Sequence, residues 1–114
     1  MSAITTHVLD TSTGHPAPGV EVVLDVQDAD DTWNELGRGQ TDAGGRLRTL
    51  MTAGAPLAAG RYRLTFHTRS YFERSGLASF YPHVIVVFEV VADEPHYHVP
   101  LLLSPYGYTT YRGS

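Results

Sequence analysis

The chain contains no cysteine. Disulfide staples, thiolate metal ligands and a cysteine nucleophile are therefore excluded, and a reducing compartment fits. Lysine is also missing: all eight basic side chains are arginine, and none forms a cationic run. With a formal net charge of −4, no clustered positive surface is available to follow a phosphate backbone, so nucleic-acid binding is not expected. No apolar run approaches the ~20 residues needed to cross a bilayer. The first residues, Met1 to His7, have neither the basic nor the apolar region of a secretory signal. No membrane association and a cytoplasmic location are expected. A Gly-x-Ser-x-Gly elbow, a Walker loop and a dinucleotide-binding glycine pattern are all absent.

Present instead are short alternating runs separated by turn residues, over 114 residues that suffice for one domain, 1–114. Apolar residues make up 42% and charged residues 18%, the balance of a globular chain. The alternation predicts an all-β sandwich. Strands are expected over Ile4–Asp10, Val20–Gln27, Thr32–Gln40, Arg46–Leu50, Arg61–His67, Val84–Val91, Tyr97–Ser104 and Gly107–Gly113. In the first, Thr5, His7 and Leu9 share one face. Ser70-Tyr71-Phe72-Glu73 matches a capping box and Gly76 suits a C′ residue, so a helix of about two turns is expected between them, held by packing of Tyr71 or Phe72. Pro100 cannot donate to a ladder, which points to an edge strand or a bulge. An edge this apolar calls for pairing with another subunit.

Chemistry concentrates in the histidines and in the final tetrapeptide. His96 and His98, at i and i+2, share one face of a strand. Imidazole is the side chain best suited to proton transfer near neutral pH. A His-x-His pair can be half of a zinc site, but no nearby Asp, Glu or Cys completes it, so no metal is expected. His7 sits mid-strand, where a half-buried structural role is the simplest reading. Arg46 closes a Gly-Gly turn; its planar fork could hold a carbonyl or carboxylate oxygen. Tyr111-Arg112-Gly113-Ser114 follows directly on a strand, so this segment is expected to pack rather than fray. His15, His67 and His83 fall at turns or strand ends.

Taken together, Thr5-Thr6-His7-Val8-Leu9-Asp10, Thr41 to Arg46, Phe80-Tyr81-Pro82, His96 to Pro105 and Tyr111-Arg112-Gly113-Ser114 resemble the signature segments of the transthyretin-related 5-hydroxyisourate hydrolases. The resemblance spans essentially the whole chain. It implies a transthyretin-like (prealbumin-like) β-sandwich of two four-stranded sheets with one short helix. It further implies a homotetramer with active sites at the dimer–dimer interface, and hydrolysis of the small molecule 5-hydroxyisourate without a cofactor. The residues it singles out are His7, Arg46 and His98 as catalytic. His7 and Arg46 with Tyr111, Arg112, Gly113 and Ser114 would bind substrate; His96 is a lesser candidate. One departure is visible: the turn reads Gly44-Gly45-Arg46 where the family usually has Asp-Gly-Arg. The alternative reading is a non-enzymatic transthyretin-like carrier of a small ligand.

Overall fold

The computed structural model describes residues 2–91 and 94–114. Among them the order is β1 (Ile4–Asp10), β2 (His15–Pro16), β3 (Glu21–Gln27), β4 (Trp33–Gln40), β5 (Arg46–Leu47), β6 (Gly60–Phe66), α1 (Thr68–Glu73), β7 (Val84–Val90), β8 (Tyr97–Ser104) and β9 (Gly107–Thr110). One sheet runs β4-β3-β6-β7. The other runs β2-β1-β8-β9, with β5 also paired to β1. The expected two-sheet sandwich forms, and one sheet gains a fifth member because the two-residue strands β2 and β5 both pair with β1.

Alternation builds the core. Val20, Val22 and Leu24 from one strand and Tyr62, Leu64 and Phe66 from another turn inward, each at most 2% exposed. From the facing sheet come Ile4, Val8, Tyr97, Val99, Leu101 and Leu103. The opposite faces of β1 and β8 carry Thr5, His7 and Leu9, and His98, Pro100 and Leu102.

β1 and β8 pair in parallel, with Thr5 opposite His98 and His7 opposite Pro100. β8 is therefore flanked on both sides, by β1 and by β9, so Pro100 lies in an interior strand and not at an edge. A proline lacks a donor at one position only, and here that position falls where the β8–β9 ladder stops. The ladder ends at Leu101–Thr110 and resumes, in the same register, at a single bridge between His98 and Gly113. The gap stands opposite Tyr111, and the Thr110 hydroxyl donates to the Pro100 carbonyl at 2.8 Å. The edges of the two sheets lie instead at β4 and β7, and at β9 and the short strands β2 and β5.

Helix α1 starts two residues before the expected Ser70 cap. His67 occupies the N-cap position and makes no side-chain cap bond. Gly76 ends the helix as expected: its N–H bonds to the Glu73 carbonyl, and that of Leu77 to Phe72, the two bonds of a Schellman motif. Six residues are too few to be stable alone, so packing holds them. Phe72 is 1% exposed, and the Tyr71 hydroxyl donates to Oδ2 of the buried Asp10 at 2.8 Å. Burial first, then that bond, pushes the Tyr71 phenol up to about 12. Tyr71→Phe leaves a buried carboxylate oxygen short of a donor and is expected to cost about 1–3 kcal/mol in urea unfolding. A loss below about 0.5 kcal/mol, the scale of a neutral surface change, would contradict this coupling of helix to β1.

Candidate active site

The outer face of the β1–β8 sheet is laid out in two rows. Residues opposite one another in a ladder share a face, so Arg46, His7, Pro100 and Tyr111 stand in one line across β5, β1, β8 and the continuation of β9. The same registers carry on to the neighbouring line of Arg48, Thr5, His98 and Gly113. A cleft of about 180 Å³ opens over the second line, walled by Thr5, Thr6, Arg46, Arg48, His96, His98 and Ser114.

The turn from Thr41 to Arg46 sets the first line. Asp42 Oδ1 accepts hydrogen bonds from the Gly44 and Arg46 amides, both at 2.9 Å. Those bonds, that of Arg46 foremost, hold the Asp42 carboxyl below its ordinary value. Gly45 has φ +76, and a Cβ there would lie 2.4 Å from the Val8 carbonyl oxygen, so only glycine fits. The His7 Nε2–H donates to the Gly44 carbonyl at 2.9 Å. A carbonyl can only accept, so the lone pair of neutral His7 is on Nδ1. The contact uses the backbone of residue 44. The missing family aspartate thus leaves His7 its partner, while Asp42 closes the turn.

His98 is half-buried, and its Nδ1 lies 2.8 Å from the Thr5 hydroxyl. The same hydroxyl is 3.2 Å from His96 Nε2. His98 Nε2 makes no protein hydrogen bond among the described residues. Burial is the main reason the His98 pKa falls below 6.5; His7 and His96 follow, then Arg46 and Arg48. Burial and charge act in the same direction, so the ring is the neutral base at neutral pH. Arg46 and Arg48 are exposed and make no ion pair among the described residues, which leaves both guanidinium forks available.

The final tetrapeptide divides. Gly113 packs on His98: its N–H donates to the His98 carbonyl at 2.8 Å, and a Cβ there would come within 2.7 Å of His98 Cδ2. Ser114 reaches the cleft. Arg112 turns away. Its guanidinium stacks 4.6 Å over the Tyr97 ring, on the core side of the sheet, and pairs with Glu94 at 3.5 Å. Of the expected site residues, the fold thus brings His7, Arg46, His98, Gly113 and Ser114 to one face, with Tyr111 opposite Pro100, and sets Arg112 apart. It adds Thr5 and Arg48, and brings the lesser candidate His96 to the same cleft.

Gly113→Ala should break the Gly113–His98 bridge and shift the His98 Cδ2–H resonance, leaving β3, β4 and β6 unchanged by NMR. An unmoved His98 resonance would show that the tail does not bear on that ring.

The model of the HIUase/Transthyretin family matches residues 4–113. A 5-hydroxyisourate hydrolase of Salmonella dublin is 50% identical over 97% of this chain and 80% of its own length. One from Mus musculus is 46% identical over 99% of this chain and 96% of its own. Among solved structures, Klebsiella pneumoniae 5-hydroxyisourate hydrolase superposes with a TM-score of 0.85 at 42% identity, covering all of both chains. Sea bream transthyretin in complex with thyroxine gives 0.91 at 34% identity, over 98% of this chain and 95% of its own. The chain belongs to the HIUase/Transthyretin family.

Proposed function

We propose that this chain, as one domain over residues 1–114, hydrolyses 5-hydroxyisourate to 2-oxo-4-hydroxy-4-carboxy-5-ureidoimidazoline. The observation that carries the reading is the convergence on one sheet face of His98, with a free Nε2, and two arginines whose forks are unpaired among the described residues. Ring opening joins a water oxygen to an acyl carbon and breaks that carbon's bond to nitrogen. Water is a poor nucleophile, so a base must take its proton as the bond forms. His98 Nε2 takes it and returns it to the departing ring nitrogen. His7 Nδ1 accepts a hydrogen bond from the same water and aims it. Arg46 holds the oxygen on which negative charge develops. Gly113, Ser114 and Tyr111 frame the substrate. None of these steps calls on a metal or cofactor, and the cytoplasm suits a cysteine-free enzyme of this kind.

Small-molecule sites usually enclose about 300–1,000 Å³. The cleft of one chain, about 180 Å³, falls short of that. That shortfall supports a site completed by a second copy closing over this face, shared between subunits of a homotetramer. The apolar outward residues of edge strand β7, Ile85 at 43% and Val87 at 51% exposed, supply a separate surface for pairing copies edge to edge. These edges take over the role expected of Pro100.

The likeness to a thyroxine-bound transthyretin keeps the ligand-carrier reading in view. Against it stands the chemistry of the face: an apolar ligand needs neither three histidines nor two free arginines. Spectrophotometry of freshly generated 5-hydroxyisourate separates the two. Decay should accelerate with the protein, and His98→Asn should lower kcat about 10²–10⁴-fold. Because the His98 pKa is depressed, the acid limb of kcat/KM should lie below 6.5, and Arg46→Gln should move it upward. Unaccelerated decay would leave the carrier; full activity in His98→Asn would remove His98 as the base.

A further inference from the structure

Thr5 makes contacts that the hydrolytic scheme does not use. It is 3% exposed, lies opposite His98 in the β1–β8 register, and comes from 93 residues earlier in the chain. Its hydroxyl touches two imidazoles at once, His98 Nδ1 at 2.8 Å and His96 Nε2 at 3.2 Å. A hydroxyl has one proton and two lone pairs. It can donate to one ring only, and the other must then present an N–H. The two tautomers are therefore not independent.

We propose that Thr5 is a positioning residue that holds His98 in the Nδ1–H tautomer, accepting from His98 Nδ1 and donating to His96 Nε2. This deepens the reading of His98 as base and rests on it. With Nδ1 protonated, the lone pair of neutral His98 is on Nε2, the nitrogen without a protein partner among the described residues. When Nε2 takes a proton from water, both ring nitrogens carry hydrogen. Thr5 Oγ1 already accepts from Nδ1, so the cation forms without a change of partner. The ring meets the same hydroxyl throughout, and Gly113 lies along its Cδ2 edge, where there is no room for a larger residue. One observation favours this direction of the chain: His98 Nε2 has no protein partner among the described residues, and Arg46 and Arg48, which can only donate, line the same cleft, so a lone pair rather than an N–H suits that nitrogen. His96, a lesser candidate by sequence, becomes the terminus that receives the threonine proton.

The test compares Thr5→Val, which keeps the shape and removes the hydroxyl, with Thr5→Ser, which keeps the hydroxyl. The tautomer is read directly from the ring 15N shifts of His98 at neutral pH. In the parent and in Thr5→Ser, Nδ1 should carry hydrogen and Nε2 should not. In Thr5→Val, the Nε2–H form should appear. Turnover should follow: about 10–100-fold lower kcat in Thr5→Val, as for other groups that orient a catalytic ligand, with KM nearly unchanged and Thr5→Ser close to the parent. An Nε2–H tautomer in the parent overturns the proposal, whether or not Thr5→Val folds. So does a His98 tautomer indifferent to the loss of the hydroxyl. Failure of the base reading looks different: His98→Asn would stay active while the nitrogen shifts still followed residue 5.

Discussion

The parallel pairing of β1 with β8 is the constraint on which the site depends. It joins residues 4–10 to residues 97–103, and every contact among His7, Thr5 and His98 follows from its register. Side chains alternate strictly along a strand, so a slip of one residue would send Thr5 and His7 into the core and Thr6 and Val8 to the surface. The core forbids that slip. Val8 and Thr6 are fully buried, and the Thr6 hydroxyl donates to the Val99 carbonyl at 2.6 Å. Apolar packing on the inner face thus holds the chemistry on the outer face in place. The site sits on a rigid sheet, with only one turn and one tail added at its ends.

The electrostatics of that face work toward one outcome. Three imidazoles and two guanidinium groups lie close together, and among the described residues no carboxylate is one of the groups that shift His98. A cation there is disfavoured by burial and by its neighbours alike. The result is a neutral imidazole beside free cationic forks, the combination on which the proposed activation of water next to a developing oxyanion draws. Elsewhere the arginines are engaged: Arg63 with Asp25 and the Trp33 ring, Arg38 with Glu35, Arg112 with Tyr97 and Glu94. Arg69 and Arg74 make no ion pair either, but they donate to the Ser79 and Gly19 carbonyls, so among the described residues it is Arg46 and Arg48 whose guanidinium groups have neither an ion pair nor a hydrogen bond.

Much of the sandwich was legible in the alternation of residues such as Tyr62, Leu64 and Phe66, because burial of every second side chain is local information. The site was legible only through resemblance, since no local rule gives the partner of β1 some ninety residues away. Thr5 and Arg48 are each two residues from an expected site residue, on the same face, and strand periodicity could have flagged both. The same periodicity separates Arg112 from Gly113. Reading the tetrapeptide as a unit obscured this. Pro100 misled for a physical reason: one missing donor needs one gap in a ladder, not a free edge. The helix start was misplaced because a capping-box pattern names residue types, whereas α1 begins without any side-chain cap.

In the proposed hydrolysis, substrate is held between Arg46 and His98 on this outer sheet face. A crystal structure with a non-hydrolysable analogue of 5-hydroxyisourate tests it most directly. The analogue should lie over the Thr5–His98 line, with an oxygen on the Arg46 fork, a water between His7 Nδ1 and His98 Nε2, and a second copy closing the cleft. An analogue bound instead against Val86, Phe88, Tyr97 and Arg112, in the groove these residues line away from His98, would contradict it.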